Sequence, residues 1–190
     1  HRRTDGTLYI CSIDALLANR GADGQISLRE AILATNNTAN SGGPDRIHFN
    51  IAGAGVQTIT LSYDGPDADT AVDPLLVSDA VVIDGYTQTG SKQNTLAIGS
   101  DAVLNVRLDG ASAGAANGLT FADGSDGSSI RGLMITRFGA DGIQIQSGAD
   151  GVSVAGNWIG SDGSGSAALG NADDGIDILG ANAVIGGASA

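Results

Sequence analysis

A short internal repeat dictates the architecture of this chain. Asn117-Gly118-Leu119-Thr120-Phe121 returns as Asp141-Gly142-Ile143-Gln144-Ile145 and again as Asp174-Gly175-Ile176-Asp177-Ile178. A second element alternates with it. Ser129-Ile130-Arg131-Gly132-Leu133-Met134-Ile135 matches Ser153-Val154-Ala155-Gly156-Asn157-Trp158-Ile159, and Val184-Ile185-Gly186-Gly187 begins a third copy. Both elements advance by 24 residues, from Gly118 to Gly142 and from Gly132 to Gly156. The next step, Gly142 to Gly175, is 33 residues, and the polar run Ser161-Asp162-Gly163-Ser164-Gly165-Ser166 accounts for the excess as an insertion at a turn. A unit this short, with two or three strands and no helix, cannot bury its apolar face alone, but it can when coils stack in parallel. The pattern predicts an all-β fold, a right-handed parallel β-helix.

Strand alternation then sends Ile143, Ile145, Ile176 and Ile178 inward, buried and mutually stacked, and leaves Gln144 and Asp177 exposed on one face in register with Thr120. Glycines after short apolar pairs, at Gly85, Gly110, Gly132, Gly156 and Gly187, mark sharp bends between faces. Ahead of the visible repeat, β-rich runs occupy Arg46 to Ile51, Val56 to Leu61, Leu75 to Ile83 and Leu104 to Leu108, each bounded by Gly, Asp, Asn or Ser. One short helix starts at Ser27. Ser27 and Glu30 have the spacing of a capping box, in which each side chain satisfies an orphan amide of the helix N-terminus. Leu28, Ile32 and Ala31 form its buried stripe, and it is expected to cover the first coil, since the open end of a solenoid needs a cap. Residues 1–190 thus read as one domain, a cap with its helix over 1–43 and coils over 44–190, and as a piece of a larger polypeptide.

Charge and composition narrow the partners. An aromatic share of 4% with 30 glycines suits small repeated turns better than a core of a few bulky rings. Acidic residues number 21 against 9 basic ones, a net charge of −12, which argues against nucleic acid and anionic membranes because both call for a cationic surface. Divalent cations suit such a surface. The single cysteine, Cys11, excludes an internal disulfide framework. No apolar run reaches the length of a membrane span, so no membrane insertion is expected, and His1-Arg2-Arg3-Thr4-Asp5 lacks the apolar core of a signal peptide.

The run Ile26-Ser27-Leu28-Arg29-Glu30-Ala31-Ile32 resembles the N-terminal motif of a bacterial family of secreted parallel β-helix proteins, the CSLREAI type, found in large surface and adhesin-like polypeptides. Asp45-Arg46-Ile47-His48-Phe49, Val82-Ile83-Asp84-Gly85, Ile130-Arg131-Gly132-Leu133-Met134-Ile135 and Gly156-Asn157-Trp158-Ile159-Gly160-Ser161-Asp162 are similar to that family's rungs. Ile26 stands where the motif has cysteine, so no role of that thiol carries over. The resemblance implies the β-helix and a place outside the cell or on its surface. It says less about activity, because the family is defined by architecture.

An enzymatic β-helix would set carboxylates, often with Ca²⁺, on one outer face beside a basic residue that takes a proton. The ladder Thr120, Gln144, Asp177 holds one carboxylate, whereas two-carboxylate hydrolysis requires a pair at a defined separation. Arg131 is assigned to a rung or to a pair with Asp109. His48, between Ile47 and Phe49, falls on the solvent side of its strand, and Cys11 has no partner thiol. Carbohydrate binding is assigned to Gln144, Asp177 and Trp158, with packing beneath the adjoining loop as the competing role of that tryptophan. Most Asp-Gly pairs read as turns. The candidate Ca²⁺ ligands are Asp64, Asp67, Asp69 and Asp73, in the acidic loop from Ser62 to Pro74, and Asp173 with Asp174.

These readings favour a non-enzymatic structural or adhesive module of a large exported bacterial protein, secreted or held on the cell surface. The alternative is carbohydrate binding or pectate-lyase-like cleavage. The expected partner is a polysaccharide or another cell-surface ligand, with self-association through an open last coil as a third use.

Overall fold

The computed structural model describes residues 12–20, 24–62, 75–162 and 168–186. Apolar runs this short support only short strands, and the longest has 7 residues. They are β1 (Asp45–His48), β2 (Gln57–Ser62), β3 (Leu75–Val77), β4 (Val81–Asp84), β5 (Val106–Ser112), β6 (Leu119–Phe121), β7 (Ser129–Arg131), β8 (Leu133–Thr136), β9 (Ile143–Ile145), β10 (Ser153–Ala155), β11 (Trp158–Ile159), β12 (Ile176–Ile178) and β13 (Val184–Ile185). Every third strand belongs to the same sheet: β1-β4-β7-β10-β13 form the first, β2-β5-β8-β11 the second and β3-β6-β9-β12 the third. All these pairings are parallel. Each coil therefore gives one strand to each of three walls, which is the parallel β-helix that the repeat predicts.

The coils begin at β1, well before the repeat shows in the sequence. The long excursion from 85 to 105 between β4 and β5 hides the spacing, and the run from Leu75 to Ile83 turns a corner at 78–80 to become β3 and β4. Register obeys the repeat: Val154 pairs with Ile130, Trp158 with Met134 and Gln144 with Thr120. Asp177 pairs with Gln144 across the longer step, so the ladder keeps its register through the change of spacing.

Inward positions of successive coils stack into one core. Ile83, Val106, Leu108, Leu119, Phe121, Ile130, Leu133, Ile135, Ile143 and Ile145 are fully buried. The expectation fails for the last coil: Ile176 is half-buried and Ile178 is 42% exposed. Their strand, β12, is the terminal one of the third sheet, so no described strand lies over them. Gln144 and Asp177, expected to be exposed, are half-buried, and Thr120 is only 2% exposed. Stacked outward side chains shield one another along a column.

The expected bends divide into two physical kinds. Gly132 and Gly156 have φ of +73° and +64° and turn the chain between the first and second walls. Gly85 and Gly110 do not; there the backbone or ring of the next coil approaches too closely for any side chain. The same holds for the repeat's own glycines. A Cβ on Gly118 would sit 2.4 Å from the carbonyl oxygen of Gly142, and one on Gly142 would sit 2.7 Å from that of Gly175. Gly187 lies outside the described residues.

The capping box forms as predicted. Ser27 Oγ accepts from the Glu30 amide at 3.2 Å, and Glu30 Oε2 accepts from the Ser27 amide at 2.9 Å, opening α2 (Leu28–Asn36). Leu28 and Ile32 enter the core, with Ala31 packed against it. A second helix was not expected: α1 (Ile13–Ala18) starts at an N-cap Ser12 whose Oγ accepts from the Ala15 amide. Six residues are too few to show a helical period, and α1 is held by its neighbour, the Ile13 amide donating to Thr38 Oγ1 at 2.9 Å. Replacing Ser27 by Ala should cost about 1 kcal/mol. For a chain of this size that is a fall of roughly 2–4 °C in the melting midpoint; an unchanged midpoint would show that packing alone holds α2.

Candidate functional site

The repeat's polar residue is a connector between coils. Asn117 Oδ1 accepts from the Asp141 amide at 2.9 Å, and Asp141 Oδ1 accepts from the Asp174 amide at 3.1 Å. A parallel column runs from Asp126, whose Oδ1 takes the Asp150 amide, to Asp150, whose Oδ1 takes the Ala181 amide, both at 2.8 Å. Each side chain satisfies an amide of the next coil's turn, which fixes the vertical register of the stack.

Stacking Asp174 on Asp141 brings like charges together. One carboxylate oxygen from each of Asp141, Asp173 and Asp174 lies within 4.8 Å of the others. Asp173 and Asp174, expected as Ca²⁺ ligands, thus gain a third partner in Asp141. Asp141 reads in the sequence as one of the Asp-Gly turns, and its place in the repeat, one coil below Asp174, is the signal that joins it to the cluster. Burial, to 6% exposure, pushes the Asp141 carboxyl above its ordinary range, and the charges of Asp173, Asp177 and Asp174 push it further, against the lowering effect of the Asp174 amide. The donors are all oxygens, which suits a hard cation such as Ca²⁺. Asp64, Asp67, Asp69 and Asp73 lie outside the described residues.

The sign of the resulting pH dependence is fixed. Asp141 has a higher pKa folded than unfolded, so its ionised form costs stability above the unfolded value, and that cost disappears as pH falls through the raised one. Asp141→Asn keeps an oxygen for the Asp174 amide, as Asn117 does for Asp141 one coil earlier, and removes the charge. The variant should melt above the wild type at pH 7, with the gap closing toward pH 4. Thermal melts at both pH values check this, and a variant that melts lower at pH 7 would contradict it.

The three residues assigned to carbohydrate do not share a wall. Gln144 and Asp177 are neighbours on the third sheet, with Gln144 Nε2 3.4 Å from Asp177 Oδ2. Trp158 stands on the second sheet, because the chain turns at Gly156 between β10 and β11. There the register aligns Thr58, Arg107, Met134 and Trp158 in one outward column and Thr60, Asp109 and Thr136 in the next.

Ion pairs brace these coils. Arg131 pairs with Asp84 at 2.7 Å, not with Asp109, since β7 lies beside β4 in the first sheet and sets Arg131 opposite Asp84. Asp109 belongs to Arg137, which takes a left-handed φ of 62°; its Nε donates to Asp109 Oδ1 at 2.9 Å and a terminal nitrogen pairs with Oδ2. Burial pushes the Asp109 carboxyl up, but the Arg137 hydrogen bonds, the Ala111 amide and the charges of Arg137 and Arg107 outweigh it and hold it below the usual carboxylate range. His48 is exposed, as expected, and Cys11 lies outside the described residues.

No family model, curated protein or solved structure matches the chain. Among the described residues no helix is long and apolar enough to cross a membrane.

Proposed function

We propose that the chain is a non-enzymatic structural and adhesive module of an exported bacterial surface protein. The observation that carries this reading is the use of its charged and polar side chains. Asp84–Arg131 and Asp109–Arg137 tie one coil to the next, as do the Asn117–Asp141–Asp174 and Asp126–Asp150 columns. Such ties stiffen a rod. General acid–base catalysis instead requires groups free to reach a substrate, and Asp141, whose raised pKa would suit an acid, is buried with Oδ1 holding the Asp174 amide. The net charge of −12 and the resemblance to secreted surface proteins support a place outside the cell.

The test is incubation with polygalacturonate and alginate, with and without Ca²⁺. No unsaturated sugar and no new reducing ends should appear. Release that is abolished in Asp177→Ala would overturn the reading in favour of a polysaccharide-cleaving β-helix.

Ca²⁺ is the proposed counterion of the acidic column, on the strength of the three carboxylate oxygens within 4.8 Å. Millimolar Ca²⁺ should raise the melting midpoint of the wild type, as any ligand of the folded state does, and raise that of Asp174→Asn less. Equal shifts in both proteins, or none in either, would remove Ca²⁺ from this site.

A further inference from the structure

We propose that the outer wall of the second sheet binds an acidic polysaccharide, lying along the solenoid axis over Trp158 with a sugar carboxylate on Arg107. This names the ligand class and the face of the adhesive module proposed above, and rests on that reading.

The column Thr58, Arg107, Met134, Trp158 runs across four successive strands, along the axis of the stack. Neighbouring strands are about 4.8 Å apart, so Arg107 and Trp158, two strands apart, stand roughly 10 Å from one another, close to the length of a disaccharide unit. Met134 between them is only 1% exposed, so neighbouring atoms close over it, and the ligand would contact the cation and the half-buried indole rather than this side chain. An indole face suits the C–H face of a pyranose. A guanidinium suits a carboxylate, which it can grip with two parallel hydrogen bonds.

Charge selects the acidic class. Three of the chain's nine cationic side chains, Arg107, Arg131 and Arg137, gather on or beside this wall of a molecule with net charge −12. The carboxylates beside them are already engaged, Asp84 by Arg131 and Asp109 by Arg137. Among the described residues Arg107 forms no ion pair; a terminal nitrogen donates to the hydroxyl of exposed Thr58 at 3.1 Å. The surplus charge at this spot is therefore positive. At physiological ionic strength fields fade within about 8 Å, so only charges that close to Arg107 act strongly on a ligand carboxylate there. The third wall offers the reverse: Asp177 and its neighbours Asp141, Asp173 and Asp174 would repel a carboxylated chain.

Trp158 is the only tryptophan of the chain, so its emission reports on this wall alone. The 190-residue protein is titrated with oligogalacturonate and, separately, with neutral xylo-oligosaccharide, and run through gels containing polygalacturonate. The acidic oligomer should change the emission saturably and the gel should retard the protein, both weakening as salt is added. Arg107→Gln should weaken binding about tenfold or more, and Arg107→Lys, which keeps the charge but loses the fork, should fall between. Both variants should melt within a few degrees of wild type. Neither emission change nor retardation at millimolar sugar would overturn the proposal, as would equal response to the neutral oligomer or unaltered binding by well-folded Arg107→Gln. The same mixtures assayed for unsaturated product separate the two claims: release would sink the non-enzymatic reading while leaving binding on this wall in place.

Discussion

Phe138→Ala should lower stability by about 3–5 kcal/mol, the range for a fully buried phenylalanine. Phe138 is 1% exposed and belongs to the main core cluster. Its ring lies where Gly110 and Gly118 of the preceding coil leave room: a Cβ on either would meet ring atoms at 2.4 and 2.9 Å. The backbone around it is fixed, the Phe138 amide donating to Asn171 Oδ1 and its carbonyl accepting from the Ala172 amide. The two glycines have no side chains to collapse into the gap, so the cavity should stay open. At roughly 2–4 °C per kcal/mol for a chain of this size, the midpoint should fall by on the order of 10 °C. Leu179→Ala, at a residue 63% exposed, serves as the reference and should change little. A loss below about 1 kcal/mol at Phe138 would mean that the ring is not wedged between coils.

Gly85→Ala should cost about 3 kcal/mol, the upper end of the overpacking range. The added methyl would lie 2.2 Å from the carbonyl oxygen of Gly132 and 2.6 Å from its carbonyl carbon, both backbone atoms of the next coil. A flexible side chain could swing away, but this corner can give only by separating the coils. Gly170 is the matched control, with nothing within 4 Å of its Cβ position and no left-handed φ. Gly170→Ala should be neutral or stabilise by about 0.4–1 kcal/mol through the unfolded chain. Similar effects of the two substitutions in denaturant melts would refute the close approach.

How much of this was legible depends on the range of the cause. The 24-residue spacing gave the parallel coils and the pairings of Ile130 with Val154 and Met134 with Trp158, because a solenoid stacks equivalent residues by construction. The S-x-x-E spacing located α2, because a capping box is local chemistry over four residues. The excursion from 85 to 105 concealed the early coils, since a loop of arbitrary length erases period without altering the ladder. The acidic site was half legible: Asp173 and Asp174 stood out as neighbours, while Asp141 joins them only through the stack.

Alternation and repeat, acting along the chain, determined the fold, the inward isoleucines of the inner coils and the place of the cap. Which wall each outward residue occupies was decided by the corners, where a two-residue turn at Gly156 carries Trp158 away from Gln144 and Asp177. The partners of Arg131 and Arg137 were decided by lateral strand order, which sets residues 47 and 28 positions apart in contact. The exposure of Ile178 was decided by its place on the last strand of its sheet, since the same motif is buried wherever a coil lies over it. A repeat specifies what each coil is like; contacts between walls and coils depend on three-dimensional neighbours that no spacing along the sequence records.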